Sequence, residues 1–297
     1  MSQQLSLPLQ PPHCLVMGPA GSGKTTSLVT LAKAEIEVFV IVTEPTGVDS
    51  LLDAWEREKV DLDLLHYCVV APASPGWKGM QDLSTRINAM SYADIANLKS
   101  GIGKESMKQF PQLLKNLENF HDERTGRDYG DVTSWDSRRA LAVDSLSGLS
   151  LITMQHTVGF KPSPHQGEWG IAMSAVEMLL LKLSSDCKCF FVLTSHIEKE
   201  PDEITGIAKI AVSTLGRKLA PKIPRFFSEV VRARKDPTGK YLWATQDSEA
   251  DLKNRALASS SSLPQDFGPI IEAYWRRQAL ASSAAAGSQT KPTAAVS

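Results

Sequence analysis

One short stretch limits the folds open to this chain more than any other. Gly18-Pro19-Ala20-Gly21-Ser22-Gly23-Lys24-Thr25 follows the apolar run Cys14-Leu15-Val16-Met17 and precedes Leu28, Leu31 and Ala32 at helical spacing. Glycines at these places let successive backbone amides turn toward one point at the start of a helix, where the helix dipole also favours an anion. A strand, a Gly-rich turn closing on Gly-Lys-Thr and a helix together read as a phosphate-binding loop, and this setting separates the pattern from a chance match. In that reading the backbone from Gly18 to Thr26 cradles phosphates. Lys24 neutralises the outer two, and the Thr25 hydroxyl is a ligand for Mg2+. The expected cofactors are ATP and Mg2+.

The rest of the chain repeats the strand-helix alternation. Val38-Phe39-Val40-Ile41-Val42 has the β-branched continuity of a strand buried on both faces and completes a βαβ unit. A helix through Leu51, Leu52 and Trp55 and a strand near Tyr67 to Val70 follow. Further on come the apolar strand Ala140-Leu141-Ala142-Val143, an apolar helix from Ile171 to Leu183 and the strand Phe190 to Thr194. This order predicts a three-layer α/β fold with a mostly parallel sheet.

A mostly helical insertion is expected at about 78–137, with His121 to Ser137, rich in Asp, Gly, Arg and Thr, as a surface loop. Ile207 to Val212, Glu229 to Arg234 and Tyr241 to Thr245 alternate. The last two, joined by Asp236-Pro237-Thr238-Gly239, predict an antiparallel hairpin added to the sheet edge. Residues 1–12 read as a polar leader, 13–278 as the domain, and the Ala/Ser-rich 279–297 as a disordered tail.

Composition sets outer limits. With 297 residues and 42% hydrophobic content the chain supplies a full core. Lys and Arg number 32 against 33 Asp and Glu, so no global field recruits a polyanion, and any such binding needs a local patch. Cys14, Cys68, Cys187 and Cys189 lack the spacing of a metal knuckle and read as buried free thiols. No apolar run approaches the ~20 residues of a membrane helix, and the N-terminus lacks a signal pattern, so the expectation is a cytoplasmic protein with no membrane partner.

Three polar positions follow three different apolar strands, where ligands collect in open α/β sheets. Asp144 ends Leu141-Ala142-Val143 and suits a carboxylate supporting Mg2+, with helix capping beside Ser145 as the alternative. Glu44 follows Phe39 to Thr43 and suits a group that orients or deprotonates the attacking water, the alternative being a surface acid. His196, after Thr194-Ser195, suits a reporter of the γ-phosphate or a hydrogen-bonded structural histidine.

Between Gly216 and Lys240 the basic residues Arg217, Lys218, Lys222, Arg225, Arg232, Arg234, Lys235 and Lys240 face only Glu229 and Asp236. Such a cluster suits contact with phosphates, with Phe160 and Trp169 available to stack on bases. It equally suits a basic finger reaching a neighbour's ATP, or a solvated face.

In order and spacing, Gly18 to Thr25, Glu44, the run Leu141 to Leu149, and Thr194-Ser195-His196 resemble the RecA-like ATPase core. Gly167 to Phe190 is similar to the helix that follows the first DNA-binding loop of that family. Thr205-Gly206, Gly216 to Leu219, Pro224 to Val230, Lys253-Asn254-Arg255 and Leu263-Pro264 resemble the phage proteins that include Sak-type single-strand-annealing ATPases. The resemblance spans roughly residues 13–270. It implies a homo-oligomeric ATPase that handles single-stranded DNA in recombination or replication, with a single-strand-binding protein as a further partner and the host cytoplasm as its place. The chain departs from RecA in having His196 where those recombinases often carry Gln, and in lacking an N-terminal oligomerisation helix and room for a separate C-terminal domain. Three other readings fit a phosphate loop: a nucleotide-gated binding protein with little turnover, a DNA motor, and a small-molecule kinase whose lid draws on Arg124, Arg127, Arg138 and Arg139.

Overall fold

The computed structural model describes residues 9–98, 101, 103–201 and 208–288. Its first half runs β1 (His13–Met17), the short helices α1 (Lys24–Ser27) and α2 (Val29–Lys33), β2 (Glu37–Val42), α3 (Gly47–Glu58) and β3 (Leu65–Val69). The insertion holds α4 (Trp77–Ala89), α5 (Tyr92–Ala96), α6 (Gln109–Glu118) and a small ribbon of β4 (His121–Asp122) and β5 (Arg127–Asp128). Then come β6 (Arg139–Asp144), α7 (Leu146–Val158), α8 (Gln166–Asp186), β7 (Phe190–Ser195), β8 (Ile197–Pro201), β9 (Ala208–Val212) and α9 (Gly216–Leu219). The chain closes with β10 (Glu229–Lys235), β11 (Tyr241–Ala244), β12 (Leu263–Pro264) and α10 (Gly268–Ser288).

The main sheet has the order β12-β11-β10-β1-β7-β6-β2-β3. From β3 to β10 the pairings are parallel, while β11 and β12 add antiparallel neighbours. Because successive side chains point to opposite faces, β2 sends Phe39 and Ile41 into one core and Val38, Val40 and Val42 into the other. The first core takes Leu113 of α6, Leu149 and Ile152 of α7 and Val176 and Leu180 of α8, and the second takes Leu31 of α2, Trp55 of α3 and Ile270 and Tyr274 of α10. Two cores on one sheet make the three layers that the alternation predicts. β1 lies between β7 and β10, so the order reverses there and the carboxyl ends of β1, β2, β6 and β7 share one rim.

The structure departs from the sequence reading in three places. Glu229 to Arg234 is not only half of an edge hairpin: β10 pairs in parallel with β1, Val230 opposite Leu15, before turning into β11. The segment ending at Val212, for which the alternation names no partner, pairs with β8 in a ribbon of its own. Alternation reports that a strand has two faces, not which strand lies beside it. The stretch from His121 to Ser137 is more than a surface loop, since it carries the β4–β5 ribbon and buries Asp122, Val132 and Trp135. Finally, α10 continues to Ser288, so the first part of the expected tail is helical, in keeping with alanine's helix propensity. Residues 289–297 and most of the leader, like Thr205-Gly206, lie outside the described residues.

Asp122 is the polar anchor of the insertion. It accepts hydrogen bonds from the backbone N–H of Tyr67 (3.1 Å) and Arg124 (3.1 Å), from Thr125 Oγ1 and from His66 Nδ1 (3.0 Å). His66 stacks on Phe39 at 4.5 Å and reaches Glu37 Oε1 at 3.1 Å, and Glu37 in turn receives Arg139 at 2.8 Å. Burial opposes the charge on Asp122, but the bonds from Thr125, His66 and the backbone hold its carboxyl below the ordinary range. Replacing Asp122 by Ala strands these donors in a buried setting and is expected to cost about 3 kcal/mol, read as a lower denaturation midpoint at unchanged slope. Since the folded carboxyl is depressed, its stabilisation is full above about pH 4, the unfolded Asp value, and is lost as pH falls through the folded one. The wild-type and Asp122→Ala midpoints should therefore converge in acid.

Candidate functional site

The phosphate loop is held open by contacts that leave no room for side chains. Gly18 N–H donates to Ser195 O at 3.0 Å, continuing the β1–β7 pairing, and a Cβ on Gly18 would lie 2.4 Å from Ala233 O of β10. Gly21 and Gly23 have φ of 69° and 88°, the left-handed region that glycine enters freely. Lys24 is buried and folds back, its Nζ donating to Gly18 O at 3.0 Å and Pro19 O at 2.9 Å. Burial lowers its pKa below the ordinary value, while the charges of Asp144 and Glu44 work the other way.

At the end of β6, Asp144 is 2% exposed and both its oxygens are engaged. Oδ2 accepts from Thr25 Oγ1 at 2.6 Å and Oδ1 accepts from Thr194 Oγ1. Burial pushes the Asp144 carboxyl above its ordinary range against the pull of these two hydroxyls. A hydroxyl and a carboxylate in contact at the foot of a phosphate loop are the hard oxygen donors that Mg2+ takes, with phosphates and water supplying its other ligands. Among the described residues no group of three or more His, Cys, Asp or Glu side chains is placed to hold a metal ion.

Glu44 and His196 meet across the same rim. Glu44 Oε1 accepts from His196 Nε2 at 2.9 Å and from Ser145 Oγ. The hydrogen bond from His196, helped by Ser145 and the charge of Lys24 and opposed by burial, holds the Glu44 carboxyl at about 2. Thr43 locks the base of this arrangement: Ser145 N–H donates to Thr43 Oγ1 at 2.7 Å, and that hydroxyl donates to Ser145 O at 2.8 Å. Gly148 closes the packing, since a Cβ there would lie 2.3 Å from Thr43 Oγ1. Ser145 is also the N-cap of α7, so the capping alternative and the metal-site reading fall on adjacent residues rather than competing for one.

A contact not legible beforehand comes from the far end of the chain. Gln265 Nε2 donates to Ser22 O at 2.7 Å and to Leu242 O at 3.0 Å, and a Cβ on Gly23 would meet Gln265 Oε1 at 2.5 Å and Tyr241 Cδ1 at 2.9 Å. β11 and the segment after β12 thus brace the loop. Nothing in the local pattern around Leu263-Pro264 marks Gln265, because its role depends on two turns of the sheet edge.

The basic residues do not form one patch. Arg232, Arg234 and Lys235 leave β10 beside the phosphate loop: Arg232 pairs with Asp247, Arg234 keeps a buried Nε without a hydrogen-bond partner, and Lys235 lies 5.3 Å from the Tyr241 ring. Arg217 and Lys218 sit exposed on α9, and Arg225, in the following 3-10 turn, pairs with Glu177, as does Lys222 at 2.9 Å. Arg225 precedes the start of β10 and Lys235 ends it, which puts roughly 20 Å of strand between the groups. Phe160 is half-buried, and Trp169 packs against the core rather than standing free. The arginines that a kinase lid would draw on are elsewhere: Arg139 begins β6 and pairs with Glu37, Arg138 pairs with Asp136, and Arg124 donates to Leu65 O. They gather toward the amino ends of the strands, away from Lys24.

The fold and this site define an α/β protein of the P-loop nucleotide-binding class. No family model matches the chain, and no curated protein matches it. Among the solved structures that match is an ATPase from the type III secretion system of pathogenic bacteria, at TM-score 0.38 and 11% identity over 77% of this chain. The match spans 53% of that ATPase, about half its length, and is too loose to bear on activity. No described helix is long and apolar enough to cross a membrane. All four cysteines are free and buried.

Gln265→Ala removes the bond to Ser22 O in the loop and the bond to Leu242 O that anchors it, and about 1 kcal/mol lost at the loop corresponds to roughly a fivefold loss of ATP affinity. Titration with a fluorescent ATP analogue checks this, and unchanged affinity would show that the brace does not position the loop.

Proposed function

We propose that this chain is a Mg2+-dependent, RecA-like ATPase that works on single-stranded DNA as a homo-oligomer. The observation that carries the ATPase reading is the convergence of Lys24, Thr25, Asp144, Glu44 and His196 on one rim from β1, β6, β2 and β7. Mg2+ bound with the nucleotide would polarise the γ-phosphoryl and neutralise charge that develops on it. Lys24 would exchange two neutral loop carbonyls for phosphate oxygens, a charge-assisted contact stronger than those it gives up. Thr25 and Asp144 would hold the metal side, with Thr194 orienting Asp144. Glu44 orients the attacking water. While His196 holds it, its low pKa makes it a poor proton acceptor, so release of His196 toward the γ-phosphate would restore its basicity.

The engagement of Glu44 by His196 and Ser145 favours a second reading, a nucleotide-gated binding protein that turns over slowly. DNA contact is supported by the exposed Arg217, Lys218, Lys222 and Arg225 and by the RecA-like order of motifs. A finger supplied to a neighbouring copy is supported by Arg234, whose buried Nε is unpartnered at the rim.

Glu44→Gln should cut ATP turnover by about 100-fold or more while leaving ATP affinity within a few fold, whereas Lys24→Ala should abolish binding. If wild-type turnover stays at background with or without single-stranded DNA, the enzyme reading fails and the gated-binding reading stands. Stimulation by DNA together with a steep salt dependence of binding is the expected result for the DNA reading.

A further inference from the structure

At the opposite end of β1 from the phosphate loop lies a basic cavity of about 240 Å³. Arg225, Lys253, Arg255 and Arg277 line it, with the first residues of two strands, His13 of β1 and Glu229 of β10. These cations come from three separate places in the chain. We infer that this cavity is an anion site for a phosphate oxyanion, presented either as free phosphate or as part of a nucleic-acid backbone.

Three of the four cations are held in place without a carboxylate partner among the described residues, and the fourth is paired. Arg225 shares Glu177 with Lys222. Among the described residues, Lys253, Arg255 and Arg277 close no ion pair with a carboxylate: Lys253 Nζ donates to Phe227 O at 2.9 Å and Arg277 Nε to Ala273 O at 3.1 Å, both neutral acceptors. The backbone fixes the site, since Val230 N–H donates to Lys253 O at 2.5 Å and Lys253 N–H to Val230 O at 3.2 Å. Glu229 is the carboxylate in the cavity, 1% exposed, and accepts from Arg255 N–H at 2.9 Å. Burial pushes Glu229 above its ordinary range, opposed by the backbone N–H groups of Arg255 and Ala256 and by the charges of Arg277 and Arg255. His13, 5% exposed, also lines the cavity, but burial lowers its pKa to about 4 and its ring adds no charge there.

Converging like charges repel unless an anion joins them. One arginine fork saturates a carboxylate, whereas a phosphate has oxygens for several cations, so three or four together favour phosphate. The site lies at least the five residues of β1 away from Lys24, roughly 16 Å, so it is separate from the nucleotide loop.

The test uses the full chain with its loop filled by ADP and Mg2+, titrated with inorganic phosphate by calorimetry and with a labelled single-stranded oligothymidylate by anisotropy. Arg255→Ala with Arg277→Ala should weaken whichever probe binds by about tenfold or more, while ADP affinity stays within twofold. Loss of phosphate binding identifies the free anion as the source, and loss of oligonucleotide binding alone identifies the strand. Lys253→Gln, which keeps the backbone bridge to Val230, must move the same probe in the same direction, so a folding defect in the double variant does not decide the matter. Absence of binding by both probes to the wild type, or binding that both variants retain in full, overturns the proposal. ADP affinity reports on the nucleotide loop independently.

Discussion

The buried carboxylate of Asp144 organises this molecule. It stands at the end of strand β6 and takes hydrogen bonds from Thr25, the last residue of the phosphate loop, and Thr194, on the neighbouring strand β7. A charge in that position is costly unless its oxygens are engaged, and two hydroxyls from two other elements engage them. The result ties β1, β6 and β7 together at the rim where a metal and a nucleotide would be held. Asp144 is thereby both a constraint on strand register and the seat of the proposed chemistry.

Around it lies a second layer of fixed polar contacts. Thr43 and Ser145 exchange hydrogen bonds between β2 and the start of α7, and Gly148 lets that helix approach without a side chain between. This packing presents the Ser145 hydroxyl to Glu44, and His196 completes the carboxylate's partners. Glu44 is thus tuned by neighbours from β7 and α7 rather than by its own strand. A carboxylate so held is a good orienting group and a weak base, so in the proposed mechanism the His196 contact would control it.

Charge is distributed with comparable care along the sheet. One group of cations leaves β10 at the nucleotide rim, and another gathers where β1 and β10 begin. Between them stand apolar strands buried on both faces. A chain with a formal charge of -1 can therefore present two locally basic regions without an overall field.

Much of this was legible in one dimension. The loop from Gly18 to Thr25 implies its own strand and helix because its backbone geometry needs them. The apolar runs ending on Glu44, Asp144 and Thr194-Ser195-His196 announce parallel strands because a sheet covered on both faces has no polar side. What periodicity lacks is information about neighbours. That β10 lies beside β1, that Asp122 is an anchor within an apparently loose segment, that Gln265 braces Ser22, and that the basic cluster from Arg217 to Lys240 divides between two ends of a strand all depend on contacts between residues far apart in sequence. Local propensity and spacing determined the elements and the phosphate loop. Only tertiary packing decided which side chains meet, because hydrogen bonds and burial act on distance in space rather than distance along the chain.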